Sequence, residues 1–280
     1  MNGKSGYGSN HGRPDGLSTT GVPAMHIDRD LQPSGNGERL LFPRPIAFNG
    51  LLTNKILTAL PGADFAHLLP YFEPVSLVAD EPIYDLGQTI DHVYFPETTV
   101  ISHLHVLDDG STVGGALVGK EGVVGISAVL DSRPAMYLTL PTLGGSAIRV
   151  NAAIIRKEFF RGGVMQRVLL GYIRARLAQL SQQAVCNGRH TLHERLCSWL
   201  LMLHGRTTDG PLLLTHEKIA HHLGARRAGV STICNELRDL GIIGYQRGNL
   251  RIVNPDQLQE LACECYEAVR RSTNHHAELA

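Results

Sequence analysis

The chain has 280 residues, 43% of them hydrophobic, and 26 Lys+Arg balance 26 Asp+Glu, so the formal net charge is zero. That length suits about two domains, and the composition excludes collagen-like, disulfide-dense and wholly disordered classes. No apolar run approaches the roughly 18–20 residues of a membrane span, and the N-terminus lacks the apolar core of a secretory signal, so neither a membrane partner nor export is expected.

Residues 1–50 open with MNGKSGYGSNHGRPDGLSTTG and are rich in Gly, Pro, Ser and Asn. Such a segment buries too little to offset its ordering entropy and reads as a mobile tail. Residues 51–160 read as a second unit. LLTNKILTALPGADFAHLLPYF (51–72) starts helically, breaks at Pro61, and can restart at Gly62 or Asp64 before ending near Pro70. From Glu73 to Val150 strands and turns take over. VYFPETTVISHLHVLDDGSTVGGALVG (93–119) holds two β-branched runs split by Asp108-Asp109-Gly110, a strong hairpin cue. Glycines at 114, 115, 119, 122 and 125 mark turns or close backbone approaches. The spacing predicts a small antiparallel sandwich or barrel.

From about Asn151 the period turns helical. VLLGYIRARLAQLSQQAV (168–185) sets Leu169, Leu170, Ile173, Leu177, Leu180 and Ala184 at steps of three and four, with Arg167, Arg174 and Arg176 on other faces. Such a stripe fits a surface helix packed on its own domain or a helix pairing with its twin. Its length and its place between two domains favour the twin. Residues 161–188 are therefore expected to be a dimerisation helix, with Leu169, Leu170, Ile173, Leu177 and Leu180 as its interface.

A helix follows in TLHERLCSWLLMLHGR, with Leu192, Leu196, Trp199, Leu200 and Leu203 inward, stopped by Gly205 and Asp209-Gly210. PLLLT reads as a short strand, HEKIAHHLG and RRAGVSTICNELRDLG as helices, IIGYQRGNLRIV as a hairpin, and PDQLQELACECYEAVRR as a final helix before a tail at 273–280.

Charge is distributed unevenly. Residues 51–160 hold six basic against twelve acidic residues, 161–188 four arginines and no acid, and 189–251 nine basic against five acidic, with six histidines besides. The second half is the one suited to an anionic partner. The order helix, strand, helix, Gly turn, helix, hairpin over 189–272 fits a winged helix-turn-helix. Thr215 can cap the first helix of the pair, and Gly224 permits the turn. In the second helix Val230, Ile233, Leu237 and Leu240 form the core-facing row. Arg227, Ser231, Asn235 and Arg238 lie opposite. The adjacent Arg226 and Arg227 stand at a helix N-terminus that already carries partial positive charge. DNA phosphates would supply the missing anion, and arginine and asparagine suit guanine and adenine edges. Gly229 costs roughly 1 kcal/mol against Ala inside a helix, which a close backbone approach would justify. Gly248-Asn249 is expected to turn the wing, with Arg247 and Arg251 near its tip.

CNGRHTLHERLCSWLLM (186–202), LLLTHEKIAHHLGARRAGVS (212–231), LRDLGIIGYQRGNLRIVN (237–254) and ACECYEAVR (262–270) resemble regulators of the Crp-Fnr family, relatives of the cyclic-AMP receptor protein. VYFPETTVIS and LVGKEGVVGISAVL resemble the family's sensory β-roll. The resemblance covers roughly residues 50–270. It implies an α+β chain with an N-terminal antiparallel β-roll, a dimerisation helix and a C-terminal winged helix-turn-helix on a palindromic operator. It carries base reading to Arg226, Arg227, Ser231 and Thr232. Asn235 and Arg247 complete the expected DNA-binding set. Ala228 stands where the receptor has a glutamate, and Thr232 where it has a later arginine, so a different operator is expected.

The family's cyclic-nucleotide sites resemble Gly-Glu followed by Arg-Ser/Thr-Ala. Here Gly125 precedes Ile126, and Arg133 precedes Pro134-Ala135, so cyclic AMP is not expected and the effector is unassigned. No cysteine precedes Cys186, where the iron-sulfur members carry theirs. His92, His103 and His105 are read as polar residues of an exposed face rather than haem ligands. HEKIAHH misses H-E-x-x-H because Ala220 stands at the second ligand position. His190 and His193 with Glu194 are read as structural. The five cysteines (Cys186, Cys197, Cys234, Cys263, Cys265) show no zinc-site spacing, and the odd count suits free thiols in a reducing cytoplasm. Cys263 and Cys265 are expected to point to different faces of one helix as packed thiols. The glycines of GKEGVVG are too short a run for a nucleotide loop.

The sequence thus predicts a cytoplasmic, homodimeric, sequence-specific transcriptional regulator. Its expected partners are double-stranded DNA, its own twin and RNA polymerase. No catalytic residue, cofactor or metal is expected. The alternatives are a metal-dependent hydrolase on the His-rich helix, or a ligand-binding scaffold docking an acidic protein.

Overall fold

The computed structural model describes residues 52–131, 133–207 and 210–275. The tail read at 1–50 lies outside them, as do the last five residues of the tail read at 273–280. Among the described residues no helix is long and apolar enough to cross a membrane.

The first folded unit opens with α1 (Lys55–Thr58). Asn54 caps it, its side-chain oxygen accepting from the Ile56 and Leu57 amides while its amide donates to the Pro96 and Gly122 carbonyls. One buried side chain thus satisfies a helix end and two loops. Helix α2 (Gly62–Leu68) starts behind Pro61 and tightens into a 3-10 turn at Leu69–Tyr71.

Six strands follow: β1 (Glu73–Leu77), β2 (His92–Pro96), β3 (Val100–Val106), β4 (Thr112–Val118), β5 (Leu138–Leu143) and β6 (Gly145–Asn151), with the short helix α3 (Ile126–Leu130) between β4 and β5. They pair antiparallel in two three-stranded sheets, ordered β1-β6-β2 and β4-β3-β5. The β3–β4 hairpin turns where Asp-Gly predicted it, with Gly110 at φ 79° and the Leu107 amide donating to the Ser111 carbonyl at 2.9 Å. A core of Phe95, Ile101, Val123, Ile148 and their neighbours fills the roll. His103 is half-buried, its Nδ1 3.1 Å from the Thr139 hydroxyl, while His105 is exposed.

Helix α4 (Ala152–Arg161) ends at Gly162 and Gly163, both with positive φ (84° and 83°), so the helical run is two helices rather than one. The second, α5 (Val164–Arg189), has 26 residues. Its first half is bolted to the roll. Met165, Val168, Leu169 and Tyr172 join the roll's core, and the Tyr172 hydroxyl donates to the Val123 carbonyl at 2.9 Å. Arg176 donates to the Leu117 carbonyl at 3.0 Å.

The C-terminal unit comprises α6 (Leu192–His204), β7 (Leu212–Leu213), α7 (His216–Leu223), α8 (Arg227–Asp239), β8 (Ile243–Gln246), β9 (Asn249–Ile252), α9 (Pro255–Glu260) and α10 (Cys265–His275). Thr191 and Glu194 form a reciprocal capping box at the start of α6, so Glu194 serves a helix end and not His190. The sheet order is β7-β9-β8. A core built on Leu196, Leu200, Leu203, Ile219, Val230 and Leu237 also takes in Val100, Leu117 and Leu143 from the β4-β3-β5 sheet.

The structure departs from the sequence-based expectation at three places. Leu169 is wholly buried in the roll's own core and leaves nothing for a twin. Leu240 is 66% exposed at the C-cap of α8, one step past the row that anchors the helix. The wing turns on Arg247-Gly248, both with positive φ (51° and 82°), which is the left-handed pair that a two-residue hairpin requires, and Asn249 already begins β9.

Candidate nucleic-acid interface

Helices α7 and α8 meet through the left-handed Gly224 (φ 57°), where a β-carbon would crowd Val113 of β4 at 3.1 Å. Thr215 caps α7 by accepting from the Lys218 amide at 3.2 Å. Arg226 is the N-cap of α8 and makes no side-chain capping bond, so the first amides of a 13-residue helix remain available to an anion. Val230, Ile233 and Leu237 are buried beneath the helix. Arg226, Arg227, Thr232 and Asn235 are exposed on the outer side. Arg227 has only a loose contact, Nε to the Glu217 carboxylate at 3.7 Å, with its side chain 70% exposed. Arg247 at the wing tip is exposed too.

Ser231 departs from the predicted set. It is half-buried, and its hydroxyl lies 2.9 Å from His216 Nδ1. His216 in turn stacks on Tyr245 of β8 at 4.3 Å between ring centroids. The residue is engaged in joining α7, α8 and the wing. Thr232 donates to the Ala228 carbonyl at 3.2 Å, leaving its oxygen's acceptor capacity outward. Gly229 faces a Leu192 methyl, 3.1 Å from where a β-carbon would sit, so its closeness is to a side chain and not to another backbone.

The helix-turn-helix also rests on the roll. At Gly114 of β4 a β-carbon would meet the His222 carbonyl oxygen at 2.7 Å, so only glycine lets α7 approach. Lys218 pairs with Asp80 at 2.5 Å. His222 is buried, stacks on Trp199 at 5.1 Å, and puts Nε2 3.3 Å from the Thr142 hydroxyl. Nothing in the local sequence around Gly114 or His222 signals this contact, because its two sides lie more than a hundred residues apart.

Burial, reinforced by His221, pushes His222 down to about 4 from the ordinary 6.5. A histidine that binds its proton more weakly when folded gives stability that is full above about pH 6.5 and falls as pH drops toward 4. The expected loss across that window is on the order of 3 kcal/mol. Urea unfolding of the wild type and of His222→Gln at pH 4.5 and 7 checks this. The variant should lose part of the pH slope, since His103, also held down by burial, titrates in the same window.

A β-roll, a long connecting helix and a winged helix-turn-helix with an outward basic row define a DNA-binding transcriptional regulator. Residues 194–261 match the model of the Crp-like helix-turn-helix domain. The chain is 22% identical over 189 residues to the global nitrogen regulator of Synechococcus elongatus, covering 64% of this chain and 84% of that one. Among solved structures it is similar to FixK2 from Bradyrhizobium japonicum (TM-score 0.59, 22% identity, 69% of this chain and 98% of that one). It is similar also to a Crp/Fnr-family transcriptional regulator from Eubacterium rectale (TM-score 0.59, 15% identity, 74% and 96%). Residues 194–261 therefore form a Crp-like helix-turn-helix domain, and the chain shares the fold of these solved structures.

Proposed function

We propose that the chain regulates transcription as a homodimer that reads a palindromic operator through Arg226, Arg227, Thr232 and Asn235, with Arg247 of the wing on adjacent phosphate. The observation that carries this is the free N-terminal half of α8: an uncapped helix start, two exposed arginines, and a buried apolar row beneath. Arginine forks to guanine and asparagine to adenine, while the wing arginine positions the protein without reading sequence. Ser231 contributes by fixing the angle between α7 and α8. A cytoplasmic, non-enzymatic protein with RNA polymerase as a further partner follows from the same reading.

The twin would pack along α5. Leu170, Leu177 and Leu180 are 49%, 64% and 42% exposed, and Ile173 is half-buried beside them. Leu169, on the same stripe, is taken up by the roll's core instead. The signal would act at the roll and reach the helix-turn-helix through α5 and through the β4–α7 contact, which is a two-site coupling in the strict sense. The effector is not cyclic AMP on this reading, since Ile126 and Pro134 stand where the family's carboxylate and hydroxyl belong.

Replacing Leu177 and Leu180 together by glutamate tests the dimer. Sedimentation should show a monomer, and affinity for a palindrome selected from a random DNA pool should fall to that of a half-site. An unchanged dimer would place the interface elsewhere.

A further inference from the structure

Four potential metal ligands converge where α5 meets the C-terminal helix. Cys186 and His190 occupy the last turn of α5 and its C-cap, Cys263 lies between α9 and α10, and Cys265 begins α10. Their ligand atoms all lie within 4.8 Å of one another. Cys186 Sγ is 3.5 Å from Cys263 Sγ, and His190 Nδ1 is 3.6 Å from Cys265 Sγ. The expectation that Cys263 and Cys265 diverge on one helix is corrected. The run 255–271 breaks after Glu260, and the break turns Cys263 back toward Cys265.

We propose that these four residues bind one zinc ion. Zinc–sulfur and zinc–nitrogen bonds of about 2.3 and 2.0 Å in a tetrahedron set ligand edges of roughly 3.5–3.8 Å; the Cys186–Cys263 and His190–Cys265 separations of 3.5 and 3.6 Å already match, and all four ligand atoms lie within 4.8 Å of one another. Three thiolates and an imidazole suit zinc over magnesium or calcium. A cluster of several irons spreads its ligands over more than one metal and needs a wider set.

The surroundings match a metal site rather than a packed thiol cluster. His190 Nε2 faces the Glu264 carboxylate at 3.2 Å, which fixes the tautomer that leaves Nδ1 as the ligand. The Gln182 amide donates to Cys265 Sγ at 3.0 Å. Ser198 of α6 accepts from the Cys263 amide at 3.2 Å, so its hydroxyl is free to donate to Cys263 Sγ at 3.1 Å. The three cysteines are buried, and the His190 side chain is 13% exposed. Four protein ligands leave no open position, so the ion is structural. It ties α5 to α10 and the segment before it, with Ser198 of α6 bonded to Cys263, at the junction between the long helix and the DNA-binding unit. Binding exchanges three S–H bonds for three S–Zn bonds and releases three protons per ion.

The test uses the full chain, reduced, stripped with a chelator and titrated with Co2+ and then Zn2+. One ion per chain is expected, with the intense visible bands of tetrahedral cobalt and a thiolate charge-transfer band, both abolished by zinc. About three protons should leave per ion at neutral pH. Cys265→Ser should lower the intensity of the thiolate band by about a third or weaken binding beyond measurement. Glu264→Gln alters a side chain that is 80% exposed, so the fold should survive, and zinc affinity should fall about 10–100-fold. Failure of the reduced wild type to take up cobalt, a weak octahedral spectrum, or a Cys186–Cys263 disulfide in place of metal uptake would overturn the assignment.

Discussion

Replacing Arg206 by alanine is expected to destabilise the fold by about 3–5 kcal/mol. Arg206 follows the C-terminal end of α6, and its Nε donates to the Glu121 carboxylate at 2.6 Å, with both side chains less than a tenth exposed. Its NH1 donates to the Met202 carbonyl at 2.8 Å. Glu121 sits in the tight turn after β4, where the Gly119 amide also donates to it at 3.2 Å. Burial alone would raise the Glu121 carboxyl; the Arg206 charge and the hydrogen bonds outweigh it and hold it below the ordinary value. A carboxylate so depressed contributes stability at neutral pH that is lost as pH falls through the carboxylate range. Removing the guanidinium leaves that buried charge without its bonded cation, and the cost exceeds the net worth of the pair. Denaturant unfolding checks it in two ways. The loss should shrink at acid pH, where Glu121 can take a proton, and Glu121→Gln combined with Arg206→Ala should be less destabilised than Arg206→Ala alone. Since the pair joins the roll to the DNA-binding unit, the same variants report how firmly the two are held.

Changing Arg226 and Arg227 together to alanine is expected to cost at least about 2 kcal/mol of DNA affinity per half-site. Two half-sites in a dimer bring this to about 4 kcal/mol, or roughly a thousandfold. Both side chains are exposed, and Arg227 pairs loosely with Glu217 at 3.7 Å, so thermal stability should stay within about 0.5 kcal/mol of the wild type. The two readouts separate a binding role from a folding one. A large loss of affinity with an unchanged melt supports base and phosphate contact. Arg247→Ala should instead weaken binding to all sequences alike and lower the salt dependence by about one unit per half-site.

Much of this molecule is legible along the chain because the decisive cues are local. Asp108-Asp109-Gly110 states a hairpin, Thr215 a helix start, and Gly224 the turn between α7 and α8. The periodic rows of α8 place Val230, Ile233 and Leu237 in the core and Arg227 and Asn235 outside, but misplace Leu240, which is exposed, and Ser231, which is half-buried against His216. What stays hidden depends on who covers a surface. The stripe on α5 has one period but two neighbours: Leu169 belongs to the roll, while Leu170, Leu177 and Leu180 remain bare, and periodicity alone does not divide them. The contact of His222 with Gly114 and the pairing of Glu121 with Arg206 span 108 and 85 residues, so no window holds both partners. The cysteines are the sharpest case. C-x-C at 263–265 is not a zinc spacing by itself, and only the break between α9 and α10 brings it against Cys186 and His190, a pair whose i, i+4 step on α5 was the one available hint.

The outer face of α8, opened by Arg226 and Arg227, is expected to meet DNA. Fluorescence anisotropy of the full chain on its selected palindrome, at salt from 50 to 300 mM on the scale where phosphate contacts respond (roughly tenfold or more in affinity), tests it most directly. Log affinity should fall steeply and linearly with log salt, less steeply for the double arginine variant, and the palindrome should be strongly preferred over scrambled duplex. A flat salt response, or equal affinity for every duplex with and without the arginines, would contradict it.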